Sequence, residues 1–563
     1  MKQKNKFSFL FRKSAIFRTV FFLFLILLSF VIIGIATWKA RKIPLISSVT
    51  PPVGSPGDIM IIDGENFGSI KTTSDYVEVG GSKITASGYL SWQDNKIKII
   101  LPSNVQDGLV IVSTESGKSK PGFFANEEGI PVEVPPDTKT SLPIITSITP
   151  ENPVVTGVLT LNGTNFGSIR NKGKVFFTAN YQEENLNNAG EKEIFVPVND
   201  ENFEVEYWSD SEIRVRVPEV AAGGQLFVQT EKGDSNQFNV NIRFPVGKKI
   251  FANKKTYVIT LSTDIMNEIS KNNTFLALRI PYPTQTSSQP LAKLTEVFPE
   301  PVFTDVQNTI IHQTELSKNS EKTQRFNHSF LVEKYSVQTE VSERNVKPYS
   351  EKQRVLYKKY TSPDFLIQSE DEDYVELAKK IVGKETNPYK KAKLIYDYMI
   401  SNYEISEKLR KNGSNAKDLI EKEKGDAFDF AVVYTTLLRC SEIPSVMMAG
   451  ILVDSDLKSK NHWWTEFYIE NFGWIPVDVA LGDGLEYKSF KNVENPESFY
   501  FGNLDSQHIA FSKGFNEIKS SIANSNNVYR ERTYALQSIW EESSVGNVNY
   551  SSLWNDPVVE GIY

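Results

Sequence analysis

A chain of 563 residues is too long for one compact domain and predicts about three or four. Its 40% hydrophobic, 12% aromatic and 23% charged composition excludes wholesale disorder, and a net charge of −7 weighs against a nucleic-acid partner. Four histidines and one cysteine exclude a disulfide framework and any multi-cysteine metal site, so the cysteine is a lone nucleophile or a buried apolar residue.

Residues 1–18 carry Lys2, Lys4, Lys6, Arg12, Lys13 and Arg18 and no acidic residue. Thr19–Trp38 then runs as 20 uncharged, mostly apolar residues, closed by Lys39, Arg41 and Lys42. A helix of that length rises about 1.5 Å per residue and spans a ~30 Å hydrocarbon core. Ile35-Ala36-Thr37 is a poor cleavage site, so the pattern predicts an uncleaved signal anchor, with a cleaved signal peptide as the alternative. The cationic excess before the span predicts an inside N-terminus and a body outside the cytoplasm, periplasmic or extracellular.

A repeat follows. PLISSVTP (Pro44–Pro51) recurs as PIITSITP (Pro143–Pro150), and IDGENFGSI (Ile62–Ile70) as LNGTNFGSI (Leu161–Ile169). SWQDNKIKIILP (Ser91–Pro102) recurs as YWSDSEIRVRVP (Tyr207–Pro218) at a longer offset, which implies a hairpin-sized insertion within Ala179–Val205. Short alternating strands punctuated by Gly, Pro and Asn predict β-sandwiches. The Gly-x-Asn-Phe-Gly turn supplies residues that tolerate positive φ, with Phe67 and Phe166 placed to plug each core. The pattern resembles the IPT/TIG family of immunoglobulin-like domains, over 43–127 and 143–245. The resemblance implies spacer or interaction modules on an exported protein, and spacing is the reading adopted for both. Residues 128–142, rich in Pro and polar residues, read as a linker.

Residues 248–360 read as a β-rich region. His312 and His328 lie there without carboxylate or cysteine neighbours at ligand spacing and read as structural. Helical periodicity begins after Pro363, with predicted helices over Asp373–Val382, Pro388–Tyr403 and from about Gly425 to Cys440. Strands are predicted over Ser445–Val453 and Trp463–Ile469, and a turn at Glu470–Gly473 leads into Trp474–Asp478.

The motifs GDAFDFA, LLRCSEIP, HWWTE and GWIPVD stand in this order between residues 425 and 478. They resemble the transglutaminase-like superfamily, whose fold is related to the papain-like cysteine proteases, over a core of 361–515. The tail, 516–563, reads as a terminal packing segment of the same unit. The resemblance implies a thiolate at a helix N-terminus, a histidine that shuttles its proton and an aspartate that orients the imidazole. It assigns the histidine to His462 and the aspartate to Asp478. The nucleophile position holds Ala427, and a methyl group cannot attack a carbonyl.

Cys440 lies 13 residues further along the same helix, about 20 Å away, and reads as a buried apolar side chain. Asp426 and Asp429 flank the vacant position; they read as helix caps, with an acid–base couple to His462 as the alternative. His508 is a further candidate to enter the cleft, or a structural hydrogen-bonding residue. Trp463, Trp464 and Trp474 read as core and cleft wall.

The expectation is a multidomain chain: a transmembrane helix, two all-β immunoglobulin-like sandwiches, a β-rich region and an α+β transglutaminase-like domain. Three functional readings stay open. The first is a membrane-anchored, non-catalytic protein whose cleft binds a protein or peptide outside the cytoplasm. The second is a cysteine amide hydrolase or acyl transferase whose nucleophile is lost or mutated at residue 427. The third is a structural surface protein or adhesin. No cofactor or metal is expected, no nucleic-acid partner, and a carbohydrate ligand has no support beyond aromatic residues able to stack on a sugar.

Overall fold

The computed structural model describes residues 14–16, 19–24, 26–29, 43–102, 105–126, 141–182, 193–267, 274–316, 323–522, 525–544 and 550–563. They divide into two compact units: one built on the first sandwich, the other holding the second sandwich and all that follows except 520–525. Residues 19–24 and 26–29 are helical, while the remainder of the expected span Thr19–Trp38 lies outside the described residues. Among the described residues no helix is long and apolar enough to cross a membrane. The expected linker lies outside them too, except for 141 and 142.

The first sandwich packs a sheet of Leu45–Thr50, Ile59–Glu65, Lys96–Ile100 and Tyr89–Gln93 against one built on Tyr76–Val79, Gly108–Thr114 and Gly122–Asn126. Alternation does this: Met60, Ile62, Ile97, Ile99, Val110 and Val112 all point into one core. The repeat is carried by a shared turn. Asn66 and Asn165 have φ of 62° and 64°, Gly68 and Gly167 of 91° and 90°, and Phe67 and Phe166 are buried. Trp92 Nε1 donates to the Phe67 carbonyl at 3.0 Å and Trp208 Nε1 to that of Phe166 at 3.2 Å. Asp94 accepts from the Gly68 backbone N–H and Asp210 from that of Gly167, each at 3.0 Å. These bonds explain why the W-x-D motif recurs with G-x-N-F-G.

In the second sandwich Phe195–Pro197 pairs with Lys174–Ala179 as an added strand. The rest of the expected insertion includes 183–192, which lie outside the described residues.

Beyond it come strands β1 (Gly247–Asn267), β2 (Thr274–Pro281), β3 (Leu291–Phe298), β4 (Phe303–Val306), β5 (Thr309–Leu316) and β6 (Thr323–Val341). The helical unit follows, with α1 (Glu372–Val382), α2 (Pro388–Asn402) and α3 (Ala427–Cys440). A four-stranded antiparallel sheet covers them in the order β9-β8-β7-β10, comprising β7 (Ser445–Val453), β8 (Ser459–Ile469), β9 (Gly473–Val477) and β10 (His508–Lys513). A single turn of helix, α4 (Val479–Gly482), leaves β9. β8 starts four residues earlier than its expected Trp463, because the polar Ser459–His462 still pairs with Gly450–Val453.

The tail strands β11 (Asn526–Val528), β12 (Glu541–Ser543), β13 (Tyr550–Trp554) and β14 (Val558–Ile562) pair within the β-rich region. β12 joins β2, while β13 and β14 share the edge of β1. Two five-stranded sheets result, β3-β6-β1-β13 with β14 and β4-β5-β2-β12-β11. Trp540 is fully buried among Tyr257, Leu278 and Phe330, and Ile451, Val453 and Ile509 of the helical unit join the same core.

The second sandwich is bonded to the β8–β9 hairpin. Glu219 accepts from the Trp474 N–H at 2.6 Å, Lys249 Nζ donates to the Trp474 carbonyl at 2.6 Å, and the Asn471 N–H donates to Thr156 Oγ1 at 3.0 Å. Lys249 and Glu219 are themselves paired at 2.6 Å and largely buried. A spacer role alone does not require such a buried pair.

Candidate active site

The helix that opens the site is buried from Ala427 to Arg439, its polar Asp429, Thr435, Thr436 and Arg439 included. Asp426 is its N-cap, and Asp426 and Asp429 form a reciprocal capping box. Arg532, from the tail, donates to Asp426 at 2.7 Å and to Asp429 at 2.9 Å. Arg410 adds its backbone N–H to Asp426 at 2.7 Å and its guanidinium to Asp429 at 2.9 Å. Both carboxylates are therefore fully engaged as caps and ion pairs. Neither is hydrogen-bonded to His462, and the acid–base couple with that histidine does not form.

Ala427 is the first helical residue, where backbone N–H groups and the helix dipole favour negative charge. It lines a cavity of about 290 Å³ together with His462, Ser406, Glu407, Asn461 and Tyr487. A second hollow of about 520 Å³ shares Glu407, Leu452, Lys460, Leu485, Glu486 and Tyr487 with the first, so the two adjoin along one groove wall.

His462 Nε2 lies 2.5 Å from Asp478 Oδ2, both side chains being buried. The β8–β9 hairpin sets this pair: Thr465 faces Val477 across the ladder, which leaves His462 and Asp478 just past its end. Asp478 also caps α4, its Oδ1 accepting from the Leu481 N–H at 2.9 Å. Burial works to raise its pKa, but His462 and His508 outweigh that and hold the carboxyl well below the usual range.

His508 Nε2 reaches the same Asp478 Oδ2 at 3.0 Å, and its Nδ1 lies 2.7 Å from Asp505 Oδ1. Trp464 packs edge-on against His508 and flat against His462, with ring centroids 5.3 and 6.4 Å away. Trp463 meets Phe428 and Trp474 meets Tyr360, so all three tryptophans are buried. The ligating atoms of His462, Asp478 and His508 lie within 4.8 Å of one another, a spacing that can hold a metal ion.

Cys440 closes the same helix at the end away from Ala427. Its Sγ donates to the Ser369 carbonyl at 3.2 Å, and burial pushes the thiol up to about 11. It is a poor thiolate in the wrong place. His312 and His328 are buried and bonded to each other, Nε2 to Nε2 at 2.7 Å, with burial lowering them to about 4 and about 3. Asp505, Arg410 and Arg532 were not read from the sequence. Asp505 had a local signal, three residues before His508, whereas Arg532 reaches Asp426 across 106 residues with none.

Residues 375–479 match the transglutaminase-like superfamily, and residues 44–125 and 143–245 match the IPT/TIG domain. An uncharacterized protein of Haemophilus influenzae is 28% identical over 166 residues, 24% of this chain and 45% of that protein. A cyclomaltodextrin glucanotransferase of Paenibacillus macerans is 36% identical over 94 residues, 16% of this chain and 13% of the enzyme. The chain thus spans less than half the length of these curated relatives. The solved periplasmic domain of TgpA from Pseudomonas aeruginosa is similar at 12% identity and a TM-score of 0.22, over 39% of this chain and 87% of that one.

Proposed function

For a chain that carries a transglutaminase-like domain behind two IPT/TIG domains, we propose a non-catalytic role: the cleft binds a peptide or protein segment without cleaving or transferring it. One observation carries this reading. The residue at the start of α3, in the cavity lined by His462, is Ala427, whose side chain offers no nucleophile. The groove's mixed walls, Lys460 and Lys488 with Glu407 and Glu486, suit an extended polar chain. In this reading the chain is held at a membrane by Thr19–Trp38, with its body outside the cytoplasm, supported by the basic residues before that apolar run.

A second reading is favoured by a specific feature. The buried His462–Asp478 pair is the geometry that an acyl-transfer or amide-hydrolysing cysteine enzyme requires, so the chain fits such an enzyme with residue 427 altered.

Cleft occupancy is tested by selecting peptides on the unaltered chain and repeating the selection on Ala427→Phe, which fills the cavity. Peptides retained by the first and lost by the second, at equal folded content, support binding. Peptides retained equally by both contradict it.

A further inference from the structure

His508 opens β10, is fully buried, and touches carboxylates with both ring nitrogens. A neutral imidazole has one N–H, so one of those nitrogens would turn a lone pair toward a carboxylate oxygen. Two donated hydrogen bonds require the doubly protonated ring. Charge points the same way for the half-buried Asp505, whose ion-pair partner among the described residues is His508.

Around Asp505 the remaining neighbours among the described residues supply hydrogen bonds and no second cation in contact. Asp505 also accepts from the Tyr487 hydroxyl, from Tyr500 at 3.1 Å and from the Gln507 N–H at 2.9 Å. Lys334, on β6, directs its ammonium to Ser288 Oγ at 2.7 Å and influences Asp505 only through space. Ring centroids of Trp464, His462 and Tyr500 lie 5.3, 5.5 and 6.3 Å from that of His508. Burial opposes the charged ring, yet Asp505 and Asp478 together raise it to about 9.

The consequence falls on His462. Asp478 Oδ1 is tied to α4 and its Oδ2 is held from behind by His508, so the carboxylate cannot rotate. His462 meets that fixed oxygen with Nε2, and Nδ1 remains as the ring nitrogen for an occupant of the cavity.

We infer that His508 is a positioning residue of the cleft: an imidazolium locked between Asp505 and Asp478 that immobilises Asp478 and so presents His462 with Nε2 protonated and Nδ1 as acceptor for an amide N–H or hydroxyl of the ligand. The ligand half of this inference rests on the cleft-binding reading; the histidine half does not.

The test uses the full chain with its four histidines labelled with ¹⁵N in the ring. At pH 7 one imidazole should show both N–H groups and should disappear in His508→Gln, and His462 should show Nε2–H alone. In His508→Gln the His462 tautomer should become mixed. Asp505→Asn keeps the ring in place and should lower the pH at which His508 loses its second proton by about one unit or more. A single N–H on His508 at pH 7, or an unchanged His462 tautomer in His508→Gln, overturns the inference. So does a stoichiometric metal ion that replaces the two Nε2 protons. Should His508→Gln fail to fold, Asp505→Asn decides: an unmoved His508 titration contradicts the lock. These signals are read in the free chain, so failure of peptide binding leaves them standing and removes only the ligand half.

Discussion

Ala427 and His462 line one cavity, the first as the opening residue of a buried helix and the second as the partner of Asp478. A thiol placed at residue 427 would sit among unpaired helical N–H groups, which lower a thiol pKa. Ala427→Cys should therefore alkylate with iodoacetamide at pH 7 at least about tenfold faster than Cys440, which burial holds up to about 11. Peptide mapping of the modified chain reads the ratio. Equal rates would mean that the helix start is not a thiolate site.

Arg532 is the buried cation between Asp426 and Asp429, and its removal leaves two carboxylates facing one another under α3. Arg532→Ala should cost about 3–5 kcal/mol, seen as a clear fall in the thermal midpoint of the unit that contains the site. A loss under about 1 kcal/mol would show that Arg410 alone suffices.

How much of this was legible in the sequence depends on the range of each contact. The helix from Ala427 to Cys440 was readable because its cap, its apolar residues and its Ile443-Pro444 stop are local. His462 and Asp478 were readable because one hairpin joins them and the family pattern names them. The Asn-Phe-Gly turns were readable because positive φ restricts residue type. Arg532 was not, since an arginine in a polar tail looks like any solvated charge until the fold brings it to Asp426. The tail strands were hidden for the same reason: β12 pairs with β2 across more than 260 residues, and no local pattern encodes a partner at that distance.

His508 and the His312–His328 pair are tuned in opposite directions, and the signs give opposite pH dependences. His508 is raised from 6.5 to about 9, so its contribution is full below about 6.5 and is lost as pH rises through 9. His312 and His328 are lowered to about 4 and about 3, so theirs is full above 6.5 and is lost as pH falls toward 4 and below. Thermal midpoints of the unaltered chain and of His508→Gln should differ most below pH 6.5 and converge as pH rises through 9. A difference between the two that stays constant from pH 6.5 to 9 would contradict the His508 assignment.

Trp540 ties the tail into the core of the two large sheets, with its ring 4.9 Å from that of Trp554 and 5.5 Å from that of Tyr534. Trp540→Ala should cost about 3–5 kcal/mol and speed hydrogen exchange across β12 and β2. Unchanged exchange there would mean that the tail is peripheral to the fold.

The most direct measurement is turnover by the unaltered chain of glutamine-containing peptides, read as ammonia release, peptide-bond cleavage and amine incorporation. A non-catalytic cleft gives no turnover above the level of His462→Ala. Turnover that is present in the unaltered chain and abolished by His462→Ala would contradict it.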